Sequence, residues 1–290
     1  MILLGVSGGP DSMYLLDEVY NHRKDIIVAT VNYNFRENSS IDFEIVRDYC
    51  KEKNITFKGL EIDKNDSFKG NFENWARQKR FIFFKKIYEE FHCEALYLAH
   101  QKDDFLESAM MQRNANRSPF YYGIKPENIV YGMIVKRPLV LKLFKNEIIT
   151  ELDKRNIKYA IDYTNELPIY SRNKIRIELN KLSNIEKQKE IDEILIKNNE
   201  LKKTESQVID EYNKWEKTRF DQSEFMKYKN QISLIYMLIH KKYNNVNLTK
   251  NKIKSIIDFI LCNNRTNKYM LMKNVYLVKI KGKLIFNINN

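Results

Sequence analysis

Cysteine is nearly absent. The chain has three in 290 residues, Cys50, Cys93 and Cys262, far apart, with no C-x-x-C pair and no histidine at metal-ligand spacing. That pattern argues against an iron–sulfur cluster, a structural zinc and a persulfide-carrying cysteine pair. Long apolar runs are missing too: none reaches the roughly 18 residues of a membrane span, and Met1 leads straight into a strand-like run without the charged start or cleavage site of a signal peptide. A cytoplasmic protein with no membrane partner is expected. Acidic residues run short in one place only. Residues 222–290 hold 13 Lys and Arg against 2 acids, whereas residues 1–221 hold 37 against 36, so nearly all of the +12 net charge lies in the last quarter. Interleaved with Tyr228, Tyr236, Tyr243, Tyr269 and Tyr276, that stretch suits a nucleic-acid backbone, bound through counterion release. The competing reading is a merely solvated lysine surface; segregation of the charge favours the first.

What is present is a chain 43% apolar, ample for a large core. Strand-like runs at Ile2–Val6, Asp25–Tyr33, Ile55–Ile62, Glu94–Ala99 and Ile129–Lys136 alternate with helical patterns at Ser12–His22, Ser40–Lys53 and Asn71–Phe91. Alternation of this kind predicts an α/β fold, a doubly wound parallel sheet covered on both faces, with ligands at the carboxyl ends of the strands where strand order reverses. After Leu182 the pattern becomes charge-laced and helical over Ile185–Arg219, then over Ser223–Lys242 and Thr249–Leu261. The end alternates, with Lys281-Gly282-Lys283 as a turn. Two domains follow, 1–195 and 196–290, the second smaller, basic and mainly helical, closing in a small hairpin.

Glycine is scarce, eight in all, and two of the eight are adjacent in LLGVSGGPDSMYLL. An apolar strand ends there in Ser7-Gly8-Gly9-Pro10-Asp11-Ser12 and a helix begins. Paired glycines let the backbone turn tightly and expose its N–H groups beside a helix's positive end, which makes an anion cradle. The loop lacks the G-K-[ST] ending of Walker A and the G-x-G-x-x-G of dinucleotide folds. It resembles the PP-loop of ATP-dependent adenylating enzymes, among them GMP synthetase, asparagine synthetase and several tRNA-modifying enzymes. The resemblance implies that ATP is split between its α and β phosphates, with AMP passed to a carbonyl-type oxygen and pyrophosphate left at Ser7, Gly8, Gly9, Pro10, Asp11 and Ser12. It further implies Mg2+, with Asp11 as its partner, although helix capping alone would also explain an acid there.

Four further stretches are similar to the tRNA(Ile)-lysidine synthetase family. They are Ala29–Arg36 with Asn32 and Arg36; Asn71-x-Glu73-x-x-Ala76-Arg77-x-x-Arg80-Phe81; Ala99-His100-Gln101-Lys102-Asp103-Asp104-Phe105-Leu106-Glu107-Ser108; and Arg137-Pro138-Leu139 followed by Asp162-x-Thr164-Asn165 and Arg172-Asn173-x-x-Arg176. The match runs in order from the first strand to about Leu182. The sequence departs from the family at Tyr33, Gln101 and Phe105. Membership would mean adenylation of the wobble cytidine of tRNA(Ile) with a CAU anticodon, then attack by the side-chain amine of L-lysine, changing decoding from AUG to AUA.

Asp104 and Glu107 lie three apart, on one helix face at its electropositive start. The resemblance implies that they recognise the lysine or the cytidine, with His100 beside the transferred phosphate; the bland alternative is an acidic first turn and a strand-end histidine. Arg172 and Arg176, four apart, would aim two guanidinium groups at one ligand, an α-phosphate or a tRNA phosphate. Arg77 and Arg80 either pair with Glu73 or lie near tRNA. Two other readings stay open, a PP-loop tRNA thiolase and a non-catalytic basic RNA-binding protein.

Overall fold

The computed structural model describes residues 1–34, 39–63, 71–115, 119–160, 171–243, 246 and 248–286. These form two compact units, 1–197 and 198–290.

Unit 1 is built on strands β1 (Ile2–Gly5), β2 (Ile26–Asn32), β3 (Thr56–Glu61), β4 (Ala95–Leu98), β5 (Glu127–Val130) and β6 (Met133–Lys136). They form one sheet in the order β3-β2-β1-β4-β6-β5, parallel throughout except for the edge strand β5. Strands this apolar, Ile2 to Leu4 and Ile26 to Ala29 being buried, need helices on both faces. On one face lie α1 (Pro10–His22), α2 (Ser39–Glu52) and α5 (Lys145–Lys154), whose Met13, Leu16, Val46, Ile148 and Leu152 pack with Leu4 and Val28. On the other lies α3 (Phe72–Glu90), whose Phe81, Phe84 and Ile87 pack with Leu3, Ile27 and Val135. A third cluster joins α4 (Lys102–Asn114) to α6 (Ser171–Leu179) and the first turns of α7 (Asn184–Lys217), through Phe105, Leu106, Ile175, Leu179, Ile191 and Ile194.

The expected doubly wound sheet is therefore present. Its order places the reversal between β1, whose connection runs outward to β2, and β4, on the other side of β1. One element differs from expectation: the run Ile129–Lys136, read as a single strand, is a hairpin. Tyr131 and Gly132 both take positive φ (51° and 80°), as a two-residue turn of this kind requires, and β5 folds back antiparallel on β6.

Unit 2 holds the rest of α7, a short helix α8 (Gln222–Phe225), then α9 (Gln231–Lys242), α10 (Lys250–Leu261) and strands β7 (Asn267–Met272), β8 (Val275–Ile280) and β9 (Lys283–Phe286). The small hairpin expected at the end is a three-stranded antiparallel sheet, because Lys273-Asn274 makes a second turn ahead of Lys281-Gly282, with Asn274 at φ 64°. Trp215, fully buried, stacks on Phe225 at 4.6 Å and donates its indole N–H to the Asp221 carbonyl at 3.0 Å. Lys279 is also fully buried; its ammonium donates to the carbonyls of Phe259, Ile260 and Cys262 at 2.9–3.1 Å. Those carbonyls end α10 and have no partner within the helix, so a cation there satisfies both them and the helix dipole.

Candidate active site

Two turns flank the strand-order reversal, where the fold rule places a ligand crevice. The first, Ser7 to Ser12, leaves β1 and enters α1 with Pro10 at its first turn, where a missing N–H costs nothing. Gly8 sits at φ +88°, and a Cβ there would meet the Asp42 carbonyl oxygen at 2.5 Å, so no other residue fits. Its carbonyl accepts from Ala160 N at 2.9 Å. Ser12 is folded into the loop: its hydroxyl accepts from Ser7 N at 3.2 Å and donates to the Gly9 carbonyl at 2.9 Å. Ser12 thus braces the turn while Ser7 is exposed to meet a ligand.

Gly9 occupies the N-cap, and no side chain caps α1. Asp11 is therefore not spent on capping. Its Oδ1 is buried with no hydrogen-bond partner among the described residues. Burial, reinforced by the negative charge of Asp104, pushes the Asp11 carboxyl up to about 7, against the opposing pull of Lys145 and Arg176. Asp11, Asp103, Asp104, Lys145 and Arg176, from α1, α4, α5 and α6, thus lie in one electrostatic neighbourhood. A half-buried carboxylate with one dry oxygen left unpartnered among the described residues, beside a phosphate cradle, fits Mg2+, which takes one or two carboxylates plus substrate phosphates rather than an all-protein cage. Among the described residues no cluster of three or more His, Cys, Asp or Glu forms such a cage.

The second turn leaves β4 through His100, half-buried, and enters α4. Here every acid is engaged. The Gln101 side chain accepts from Asp103 N at 2.6 Å while Asp104 Oδ2 accepts from Gln101 N at 3.0 Å, a reciprocal capping box. Asp103 takes Lys187 Nζ at 2.6 Å on one oxygen and Lys145 N at 3.0 Å on the other. Glu107, 3% exposed, is ion-paired with Arg176 Nε. The structure thus brings together Asp11, Asp104, Glu107 and Arg176 of the residues singled out from sequence, with Glu107 beneath Arg176. Arg172 lies in α6, its side chain outside the described residues, as are Arg36, Asp162, Thr164, Asn165 and Tyr170.

Each departure from the family pattern has a packing role. Gln101 caps α4; Phe105, fully buried, fills the space beside Gly123, where a Cβ would strike its ring at 2.5 Å; Tyr33 donates its hydroxyl to the Ala76 carbonyl at 3.0 Å. Lys145 belongs to no motif and was missed. A lysine at the first position of a helix opposes the dipole, and that misfit was the available signal. Of the two readings of Arg77 and Arg80, the pairing with Glu73 does not form among the described residues; Arg77 lies over the Phe81 ring at 4.7 Å.

Comparison with known proteins follows the same outline. The PP-loop domain family matches residues 1–183. The chain is 45% identical over 288 residues to the tRNA(Ile)-lysidine synthase of Mycoplasmopsis pulmonis, covering 97% of each. It is 37% identical over 280 residues to that of Mycoplasma genitalium, covering 95% of this chain and 93% of the relative. Among solved structures it is similar in fold to the U34-tRNA thiolase NcsA from Methanococcus maripaludis, with a TM-score of 0.51 and 17% identity over 62% of this chain and 64% of that one. No helix among the described residues is long and apolar enough to cross a membrane.

Proposed function

The chain belongs to the tRNA(Ile)-lysidine synthase family, and from that premise we propose that it joins L-lysine to C2 of the wobble cytidine of a CAU-anticodon tRNA(Ile) at the expense of ATP, in the cytoplasm. The observation that carries the reading is Asp11, a half-buried carboxyl group with one buried oxygen that has no hydrogen-bond partner among the described residues, held beside the Gly8-Gly9 turn.

The cytidine O2 attacks the α-phosphorus, the α–β phosphoanhydride bond breaks and pyrophosphate leaves into the loop. The lysine ε-amine then attacks C2, gives up a proton, and the C2–O bond breaks to release AMP. Loop amides and the Ser7 hydroxyl face the departing charge. Mg2+ held by Asp11 would neutralise phosphate charge there. Arg176, oriented by Glu107, is assigned to the α-phosphate, with Arg172 on the same helix and His100 beside the group in transfer. Asp104, at the second turn, is assigned to the lysine amine. Unit 2, with its excess of Lys and Arg, is assigned to the tRNA stem.

Thiolation would need a reactive sulfur. Burial pushes the Cys50 thiol up to about 12 and raises that of Cys93, so neither supplies a thiolate near neutrality. The test mixes protein, ATP, labelled lysine and a CAU-anticodon transcript. Label entering RNA, with AMP and pyrophosphate formed in equal amounts, is the expected result. Absence of label in RNA with folded protein overturns the assignment; sulfur in the RNA would install the thiolase instead.

A further inference from the structure

The face of the sheet opposite α1 carries a feature that the ATP chemistry does not use. Where β2 ends and α3 begins, three aromatic rings meet. Tyr33 lies 6.1 Å from Phe72 and 6.3 Å from Trp75, and Phe72 lies 5.7 Å from Trp75 at an interplanar angle of 36°. The Tyr33 hydroxyl, donating to the Ala76 carbonyl, fixes this group to the second turn of α3. All three rings are only partly buried, unlike Phe81 and Phe84 further along the helix, which are sealed in the core. Cations surround them. Lys79 Nζ stands 5.6 Å from the centre of the Trp75 ring, Arg80 acts electrostatically on Tyr33, and Arg77 follows on the same helix. Neither Arg77 nor Arg80 is committed to an ion pair among the described residues. Deeper along this face Arg137, 7% exposed, donates to the Lys125 carbonyl and Asn128 Oδ1 at 2.9 and 2.7 Å. The causes that lower its pKa are burial and the like charge of Arg77.

Flat aromatic faces ringed by guanidinium and ammonium groups match a nucleotide in both of its parts: a base to stack and a phosphate to pair. An acidic or apolar protein segment would use only half of that chemistry. The site also lies at the carboxyl edge of the strands, the edge that carries the crevice, but on the sheet face away from α1 and its phosphate loop. We propose that Trp75, with Phe72 and Tyr33, is a stacking platform for an unpaired base of the RNA substrate, and that Arg80 and Arg77 take the adjoining phosphates. This rests on the tRNA reading given above. It assigns a specificity role to Tyr33, where the chain departs from its family, and to Phe72 and Trp75, which fall between the residues of the family motif.

The chain contains two tryptophans, and Trp215 is fully buried in unit 2, where no base can stack on it, so the part of any RNA-induced quenching that Trp75→Phe removes belongs to Trp75. Titration of the full-length protein with a CAU anticodon stem-loop, without ATP or lysine, should quench the emission to saturation, and Trp75→Phe should abolish the change. In turnover assays Trp75→Ala should raise the KM for tRNA about 5- to 100-fold, leaving kcat and the KM values for ATP and lysine within about twofold. Trp75→Phe should restore most of the loss. Quenching by ATP alone would make the platform an adenine site and overturn the proposal. So would RNA binding without quenching, or an unchanged KM for tRNA in Trp75→Ala. If the wild-type protein binds the stem-loop and quenches but incorporates no lysine, the platform stands and the reaction assignment falls.

Discussion

The two turns flanking the strand-order reversal leave the same edge of the sheet and enter helices of equal length, 13 residues each, yet they treat their carboxylates in opposite ways. At the start of α4, Asp103 holds Lys187 and the Lys145 amide, Asp104 accepts from the Gln101 backbone, and Glu107 holds Arg176. At the start of α1 the one acid has a buried oxygen with no hydrogen-bond partner among the described residues. Satisfied carboxylates lock α4, α5, α6 and α7 into a rigid wall. A buried carboxylate oxygen without a hydrogen bond costs folding energy and persists only where something else supplies its partner. The comparison therefore separates the rigid wall, whose acids are engaged within the protein, from the wall that receives the departing pyrophosphate.

Asp11→Asn should break this division most visibly. Lysidine formation should fall about 10²- to 10³-fold, the scale on which a group facing transition-state charge acts, while stability does not fall. The pH dependence gives the sign. The Asp11 carboxyl rises from an unfolded value near 3.8 to about 7, so between those limits the folded state keeps a proton that the unfolded chain releases. Its contribution to stability is thus fully present below pH 4 and lost as pH climbs to 7, by about 4 kcal/mol at most. Unfolding of wild type and Asp11→Asn by denaturant at pH 5 and 8 should show the variant gaining relative stability at the higher pH. Equal differences at both pH values would place Asp11 in an ordinary, solvated setting.

Lys187→Met sharpens the other side. Lys187 and Asp103 are both nearly buried, with side-chain exposures of 9% and 15%, so removing the cation strands a carboxylate and should cost about 3 kcal/mol. ATP affinity should change little, because Lys187 lies outside the loop. A large loss of ATP binding without a loss of melting temperature would move Lys187 from the rigid wall to the receiving one.

Most of this arrangement was legible in the residues. Runs such as Ile26–Asn32 are long, β-branched and bounded by turns, and the helix from Pro10 follows a glycine pair. Both signals are local, so β1 to α4 fell where the pattern put them. The fifth run misled because Tyr131 and Gly132 interrupt an otherwise continuous apolar stretch, and a left-handed tyrosine carries no mark in sequence. Likewise the pattern over Ser223–Lys242 hides the break between α8 and α9. For the site, residue types and spacing located the two turns but not the state of each acid. Glu107 looked like a group waiting for substrate, and only tertiary packing shows that Arg176, 69 positions later, already holds it. That Asp11 is the exception depends on what Gly9, at the N-cap, lacks: a side chain that would draw α1 into an ordinary cap.

Gly9 itself gives the smallest and most discriminating effect. A Cβ there would find only Ser7 Oγ, at 3.8 Å, so Gly9→Ala is open in the folded protein, whereas Gly8 is closed by its φ and by Asp42. Alanine is a poorer N-cap than glycine by about 1 kcal/mol or less, so the melting temperature of Gly9→Ala should fall by no more than about 4 °C. If the loop's amides close directly on phosphate oxygens, however, the added methyl group stands where the ligand must come. The KM for ATP should then rise about tenfold while the KM for tRNA is unchanged. An unchanged KM for ATP would mean that the phosphates keep their distance from Gly9. The receiving wall would then consist of Asp11 and Ser7 alone.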